Sequence, residues 1–233
     1  MHCPLCGHHE VSLFFADRVR EYYCCSRCQL VHVPLRFHLD PSAEKARYDT
    51  HRNDPADEGY RCFLSRLARP LQAVVPSGCQ GLDFGSGPGP TLSVMLEEMG
   101  YQVAIYDKYY ACRPELLTRT YDFITATEVV EHLSDPAGEL DRLWACLRPG
   151  GVLAIMTKLV LDQQAFANWH YIRDLTHISF FSHPTFIWLA THLSARLNRV
   201  DKDVIMLHKP LCSDVTPDVP DNPTINQPET HHL

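Results

Sequence analysis

Two carboxylates and an imidazole follow a short apolar run in the middle of the chain. Residues 122–127 are predicted to form a buried strand, and Glu128, Glu131 and His132 come directly after it. On a helical turn over residues 128–133 these three side chains would share one face. Such a set can bind a divalent cation or orient a substrate hydroxyl group. The alternative is that His132 is only hydrogen-bonded at the sheet edge.

Four thiols near the N-terminus have the spacing of a metal site. Cys3 and Cys6 form one C-x2-C pair, Cys25 and Cys28 form the second, and 18 residues (7–24) separate the pairs. This spacing predicts a structural zinc ion, because four thiolates close the tetrahedral shell. Aromatic residues of the hairpin arms would cover the metal: Phe14, Phe15, Tyr22 and Tyr23. Alternatives are unligated core cysteines, Cys24 in place of Cys25, and the weaker candidate ligands His8, His9 and His32.

A glycine-rich turn follows the first apolar run that ends in an acid. Residues 80–84 are predicted to form a strand carrying Asp83, and Gly85, Gly87 and Gly89 come next, before a helical pattern. Such a turn lets backbone N–H groups approach a ligand at the positive end of the helix dipole. A plain strand–helix turn is the alternative.

A second apolar run, 103–106, ends in Asp107, 20 residues beyond Gly87 (107 − 87). An acid at that position can bind ribose hydroxyl groups. A ligand with a cationic amine and a ribose fits the pair formed by Asp83 and Asp107, and S-adenosylmethionine has both groups. The predicted cofactor-binding residues are Asp83, Gly85, Ser86, Gly87, Gly89, Tyr106, Asp107, Thr127 and Glu128.

The segment Leu82-Asp83-Phe84-Gly85-Ser86-Gly87-Pro88-Gly89 resembles the first motif of the class I S-adenosylmethionine-dependent methyltransferases. The run Leu147-Arg148-Pro149-Gly150-Gly151 resembles their motif before the fifth strand. The resemblance implies an α/β fold with a doubly wound, mostly parallel Rossmann-like sheet, and an enzyme that uses S-adenosylmethionine.

The Glu-x-x-Glu-His run resembles that of ubiquinone-pathway O-methyltransferases and small-RNA 2′-O-methyltransferases. In those enzymes it contributes to a divalent metal site that a later histidine completes. Thr176-His177 resembles the Thr-His of the ubiquinone-type enzymes. The implied second metal site comprises Glu128, Glu131, His132 and His177. In metal-free relatives the first acid instead contacts the cofactor and the histidine faces the substrate.

The aromatic stretch 166–177 follows the predicted fifth strand and is expected to line the pocket that binds the methyl acceptor. His170 and His177 could act there as general bases, since the pKa of histidine is near neutrality. The predicted catalytic residues are His132, Glu131, His177 and His170. Taken together, the cysteine pairs, the Glu-Val-Val-Glu-His run and this stretch resemble a group of bacterial zinc-ribbon methyltransferases.

Alternating strand and helix patterns over residues 80–158 predict a parallel sheet with strands at 80–84, 102–106, 122–127 and 152–158. Only residues 108–121 separate Asp107 from the next strand, so the usual third strand and helix should be short or absent. The predicted domains are a zinc ribbon (1–35), a helical linker or lid (36–79), the cofactor-binding domain (80–209) and a disordered tail (210–233).

Composition limits the partners. The net charge is −7, and residues 1–40 hold four Arg and no Lys against four acids, so nucleic acid is an unlikely partner. The ten cysteines fit a reducing compartment, and no apolar run could span a bilayer, so we expect a cytoplasmic protein without a membrane partner. We expect methyl transfer to O or C of a small-molecule acceptor. The alternatives are a zinc-ribbon RNA methyltransferase and a non-catalytic cofactor-binding module. No feature sets an oligomeric state.

Overall fold

The computed structural model describes residues 1–50 and 53–211 and begins with an antiparallel hairpin. Strands β1 (Val11–Ala16) and β2 (Glu21–Cys25) pair, and the short β3 (Val31–His32) pairs with β2. Helices α1 (Pro41–Tyr48) and α2 (Glu58–Val74) follow. Asp40 caps α1 by accepting from the N–H groups of Ser42 and Ala43. The predicted helical linker or lid over residues 36–79 thus contains two helices, and α1 has no apolar pattern in the sequence because it buries no residue.

The next part of the chain alternates strands and helices. It contains β4 (Gln80–Phe84), α3 (Thr91–Glu98), β5 (Gln102–Tyr106), β6 (Tyr121–Thr127), α4 (Pro136–Ala145) and β7 (Leu147–Met156). The C-terminal part adds α5 (Gln163–Ala167), β8 (Ser179–Phe180), α6 (His183–His192), β9 (Arg196–Arg199) and β10 (Val204–His208). Six of these strands form one sheet in the order β5-β4-β6-β7-β10-β9. The first four are parallel, and β10 is antiparallel to both neighbours.

The predicted fold class, a doubly wound and mostly parallel Rossmann-like sheet, is confirmed. Side chains alternate between its two faces: Phe123 faces the layer of α2 and α3, while Ile124 faces the layer of α4 and α6. The interval between β5 and β6 contains only a 3-10 helix, Pro114–Thr118. Strand β5 is therefore a sheet edge, as the shortness of residues 108–121 indicates.

The N-terminal hairpin is joined to the rest of the chain through a second sheet. Strand β3 pairs with β8, with Val31 opposite Phe180, giving the order β1-β2-β3-β8. The predicted boundary at residue 35 thus divides segments that share a sheet.

For Phe15 and Tyr22 the aromatic cover proposed for the metal is wrong. Phe15 and Tyr22 pack against Phe166, and Tyr22 also contacts Phe180. These rings form the interface between the hairpin and the segment after β7, because burying them there removes their apolar surface from water.

Two predicted features fall wholly or partly outside the described residues. The predicted tail lies outside them from residue 212 onward, and so do residues 51 and 52 of the linker. Among the helices that the structure describes, none has the length and apolar character needed to cross a membrane.

Candidate active site

The loop between β4 and α3 approaches its neighbours too closely for side chains. Gly85 has φ +76°, and a Cβ atom there would lie 2.4 Å from Val129 Cγ2. A Cβ atom on Gly89 would lie 1.8 Å from the backbone oxygen of Asn53. The glycines are therefore needed both for the left-handed turn and for the close approach of the chain before α2.

A cleft of about 490 Å³ opens at the carboxyl ends of β4, β5, β6 and β7. This is the edge where open α/β sheets bind ligands, and the volume is in the range of small-molecule sites. The predicted site residues that line it are Gly85, Ser86, Gly87, Tyr106, Asp107, Thr127, Glu128, His132 and His177.

Three polar atoms of this wall fit a bound polar ligand. Ser86 Oγ, Thr127 Oγ1 and Glu128 Oε1 are buried, and within the described parts of the chain none has a hydrogen-bond partner. Because buried polar atoms are almost always paired, such a group of orphaned atoms around one cleft indicates that a ligand supplies their partners. The residues present therefore fit a polar cofactor such as S-adenosylmethionine.

The two predicted acids lie at the carboxyl ends of two adjacent strands, at the same edge of the sheet. In the β4–β5 register Asp83 lies opposite Ile105, two residues before Asp107. The Asp107 carboxylate lines the cleft and accepts from the N–H groups of Gly87 (3.0 Å) and Tyr109 (2.8 Å).

Asp83 lies beneath the loop and is only 4% exposed. Its carboxylate accepts from Thr125 Oγ1 at 2.7 Å, and it is not part of the cleft wall. Burial raises its pKa to about 7, and the charge of Asp107 adds to this rise. A direct role of Asp83 toward the cofactor stays a prediction.

The acid–histidine run converges with the distant His177. One ligand atom from each of Glu131, His132 and His177 lies within 4.8 Å of the others. His132 Nδ1 lies 3.1 Å from the Thr176 carbonyl, and His177 Nδ1 lies 2.8 Å from the Tyr171 carbonyl. A carbonyl only accepts, so both Nδ1 atoms carry the proton and each lone pair is on Nε2. Metal-ligating histidines are typically oriented in this way.

The predicted helical turn over residues 128–133 is wrong in its geometry. Only Val130–His132 form a 3-10 helix, and Glu128 lies outside it with φ +53°. A left-handed residue with a side chain costs roughly 1–2 kcal/mol. Glu128 is held in this conformation by its N–H, which donates to the Met156 carbonyl at 2.8 Å. Its side chain reaches the cleft because of this bend rather than through a shared helical face.

Tyr171 connects the two glutamates. Its hydroxyl donates to Glu131 and lies 3.3 Å from Glu128 Oε2, while Thr157 Oγ1 donates to Glu131 at 3.0 Å. Burial raises the pKa values of both carboxyl groups, and the charge of Glu131 further raises that of Glu128. Two such buried acids favour either a shared proton or a bound cation.

His170 is not part of this cluster. It is exposed, does not line the cleft, and its Nε2 lies 2.9 Å from Lys158 Nζ. The cleft wall includes residues that the site prediction missed: Tyr48, Asn53, Lys108, Lys158 and Tyr171. Tyr171 was within reach of the sequence, because it lies in the aromatic stretch expected to form this wall. The others carry no motif.

The sulfur atoms of the four predicted zinc ligands also lie close together. Cys3 Sγ lies 3.4 Å from Cys28 Sγ, Cys6 Sγ lies 3.4 Å from Cys25 Sγ, and all four sulfurs are within 4.8 Å of one another. Sulfurs around a tetrahedral zinc ion are about 3.8 Å apart, so the cluster has the size of this site. Cys24 is outside it and points to Gln29. The residue after each pair, Gly7 and Gln29, has positive φ, which lets both knuckles turn tightly.

The sheet order, the glycine loop and the cleft define a Rossmann-like ligand-binding protein with an acid at the tip of each of two adjacent strands. A family model described as a methyltransferase domain matches residues 44–193, which is more than half of the chain. The chain therefore belongs to this family, among the class I S-adenosylmethionine-dependent methyltransferases. The match does not include the cysteine-rich hairpin.

Two relatives illustrate the similarity. The tRNA 5-carboxymethoxyuridine methyltransferase of Escherichia coli (strain K12) is 27% identical over 165 residues, covering 58% of this chain and 63% of that protein. The chain thus spans less than two thirds of the length of this curated relative. A Burkholderia thailandensis 1,6-didemethyltoxoflavin-N1-methyltransferase, solved with S-adenosylhomocysteine, has a TM-score of 0.50 at 16% identity and covers 87% of this chain and 100% of its own. At that identity the likeness shows the fold alone.

Gly89→Ala should weaken S-adenosylmethionine binding by about tenfold or more. The new methyl group would overlap the Asn53 backbone oxygen, so the loop or the neighbouring chain must move. Calorimetric titration with S-adenosylmethionine measures the effect. Gly59→Ala is the control, since its Cβ would approach only a side-chain oxygen, at 3.2 Å. Equal affinity in the two variants would contradict a tight loop at the cofactor.

Asp83→Asn should stabilise the fold at high pH. The folded-state pKa of Asp83, about 7, is above the ordinary aspartate value of 3.8, so wild-type stability is lost as pH rises through this interval. Asparagine never ionises and still accepts from Thr125. The variant's free energy of unfolding should therefore exceed that of wild type by roughly 2–4 kcal/mol at pH 8, and by little at pH 4. Urea unfolding across this range measures it; a difference independent of pH would contradict the assignment.

Proposed function

We propose that this chain transfers the methyl group of S-adenosylmethionine to O or C of a small-molecule acceptor. The loop from Gly85 to Gly89, with Asp83 beneath it, would hold the amino-acid end of the cofactor, and Asp107 would hold the ribose. Thr127 and Glu128 would contact the end that carries the methyl group. S-adenosylmethionine supplies an already activated sulfonium methyl group, so the protein contributes mainly position and a dry site.

The observation that carries the proposal is the convergence of Glu131, His132 and His177: the two histidines line the cleft, and the buried Glu131 lies next to them. We infer that these residues, with Glu128, hold a divalent cation. Two imidazoles and carboxylates form a mixed ligand set that suits Zn²⁺, Fe²⁺ or Mn²⁺. The cation would supply Lewis-acid polarisation of an acceptor oxygen. If no metal binds, His177 and His132 serve as the proton-accepting groups of the same wall.

A small acceptor is favoured by the way α1 bridges the mouth of the cleft. Glu44 pairs with Lys108 at 2.8 Å on one side, and Arg47 pairs with Asp174 at 3.3 Å on the other. Lys108 and Asp174 both line the cleft. A helix fixed across the opening in this way limits access by a folded macromolecule.

The second candidate acceptor is RNA, which the Escherichia coli tRNA methyltransferase relative favours. An RNA nucleotide would have to enter beneath α1, so Glu44 and Arg47 would have to release their partners. The balanced charge of residues 1–40, four arginines against four acids, does not favour binding to a phosphate backbone.

We further propose that residues 1–35 form a structural zinc ribbon. Residues 36–79 form the cover of the cleft and the helix that precedes the catalytic domain. Four thiolates leave no open coordination position, so this metal would support the fold rather than the reaction.

Labelled S-adenosylmethionine distinguishes the acceptors. The purified protein is incubated with a metabolite extract or with total tRNA, each with and without added Mn²⁺. Label in small molecules is expected; label in tRNA alone would replace the proposal with the second candidate. Binding of S-adenosylmethionine without transfer to either pool would favour a non-catalytic binding module.

A further inference from the structure

Arg20 is a buried cation in the turn between β1 and β2. The turn is closed by Asp17, whose Oδ1 accepts from the N–H groups of Val19 (2.7 Å) and Arg20 (2.8 Å). The Arg20 residue is only 2% exposed. Because a buried charge is costly unless it is fully hydrogen-bonded, its partners indicate what it does.

The guanidinium group binds the backbone of a distant segment. Nη2 donates to the carbonyls of Ile172 (2.8 Å) and Asp174 (2.9 Å), and Nη1 donates to that of Leu175 (3.1 Å). Nε donates to the Tyr22 hydroxyl at 2.9 Å, which in turn donates to Asp17. The planar arginine fork thus fixes three carbonyls at and beyond the end of the 3-10 helix His170–Arg173.

Residues 171–177 also form one side of the cleft, where the acceptor is expected to bind, and we call this side the acceptor wall. The Tyr171 carbonyl accepts from His177, the Thr176 carbonyl from His132, and the Tyr171 hydroxyl donates to Glu131. Glu131, His132 and His177 are therefore all oriented by residues 171–177.

A second set of hydrogen bonds connects the N-terminal unit to the acceptor wall. Val33 N–H donates to the Ile178 carbonyl at 2.9 Å, and Ile178 N–H donates to the Glu131 carbonyl at 2.8 Å. The N-terminal unit is thus hydrogen-bonded to residues 172–175 through Arg20 and to Ile178, three residues further on, through Val33.

We propose that Arg20 is a positioning residue: it fixes the backbone of residues 172–175 and so places Tyr171, His177 and His132 against Glu131. The cysteine-rich hairpin then acts as a support of the acceptor wall and not as an independent binding module. This inference rests on the proposed function, because the wall has a catalytic meaning only if methyl transfer occurs there.

The test is Arg20→Lys, which keeps the charge but loses the planar fork. Nitrogen-15 NMR of the histidine rings reports the tautomers of His177 and His132, and Mn²⁺ titration by electron paramagnetic resonance reports the cluster. In the folded variant we expect both rings to lose the fixed Nδ1–H state and Mn²⁺ affinity to fall at least about tenfold, as for other groups that orient ligands. Affinity for S-adenosylmethionine should change by less than about threefold, because the glycine loop is on other elements.

Arg18→Lys is the matched control, since Arg18 is exposed in the same turn. Histidine signals identical to wild type in folded Arg20→Lys would overturn the proposal, because a purely stabilising residue changes the unfolding midpoint and not the ring tautomers. If Arg20→Lys does not fold, Tyr22→Phe removes the Nε partner together with the hydroxyl contacts to Asp17 and Ile172, but keeps the arginine fork on the three carbonyls. It should shift the same signals more weakly; no shift there also overturns the proposal. Failure of wild type to bind S-adenosylmethionine would instead count against the proposed function.

Discussion

Glu131→Gln should lower methyl transfer by about 100-fold or more, while affinity for S-adenosylmethionine stays within about threefold. Glu131 is fully buried and accepts from Tyr171 and Thr157. Both partners are hydroxyl groups, which can donate or accept, so a glutamine of the same shape can remain hydrogen-bonded. The substitution therefore replaces one carboxylate oxygen with an amide nitrogen, which cannot carry the negative charge or ligate a cation, with little change in packing.

Two binding measurements separate the cluster from the cofactor site. Mn²⁺ binding followed by electron paramagnetic resonance should be lost in Glu131→Gln, and calorimetry with S-adenosylmethionine should not change. Manganese is chosen because thiolate sites prefer zinc, so the probe reports the carboxylate–imidazole cluster. Glu97→Gln, on the exposed face of α3, controls for the loss of one negative charge.

The result also decides between the metal and metal-free mechanisms. If wild type does not bind Mn²⁺ or Zn²⁺ at the cluster but Glu131→Gln still loses activity, the residue acts by orienting Tyr171 and the histidines. If Glu131→Gln retains full activity, the cluster has no part in the reaction.

The parts of this site that the sequence predicts are those with local patterns. The apolar run, Asp83 and the alternating glycines fix β4 and its loop, because only glycine fits their turn and close approach. The four-cysteine cluster is also predictable, because the two cysteines of each pair lie in one tight turn.

What the sequence does not predict depends on distant contacts or on an unusual backbone. Glu128 has a left-handed conformation that no helical periodicity indicates. Helix α1 has no apolar stripe, and β8 has only two residues and forms by pairing with β3. In the sequence Arg20 has the pattern of an ordinary turn arginine, because its hydrogen-bond partners lie about 150 residues further along the chain.

Cys25→Ser should abolish zinc binding at the hairpin and, with it, methyl transfer. Cys25 is fully buried, and its sulfur lies 3.4 Å from that of Cys6 within the four-cysteine cluster. Structural zinc contributes roughly 10–16 kcal/mol to the folding of small metal domains, so loss of one ligand should unfold the hairpin locally. Metal analysis by mass spectrometry should give one zinc per wild-type chain and none in the variant.

Cys24→Ser is the closest possible control, because Cys24 is adjacent in sequence but its sulfur points to Gln29 outside the cluster. It should keep its zinc and its activity. In Cys25→Ser, S-adenosylmethionine should still bind, since the glycine loop belongs to the six-stranded sheet. Transfer should fail because β3 and Arg20 no longer hold β8 and residues 172–175. If Cys25→Ser retains zinc, Cys24 replaces the missing ligand; if it loses zinc and remains fully active, the hairpin does not support the acceptor wall.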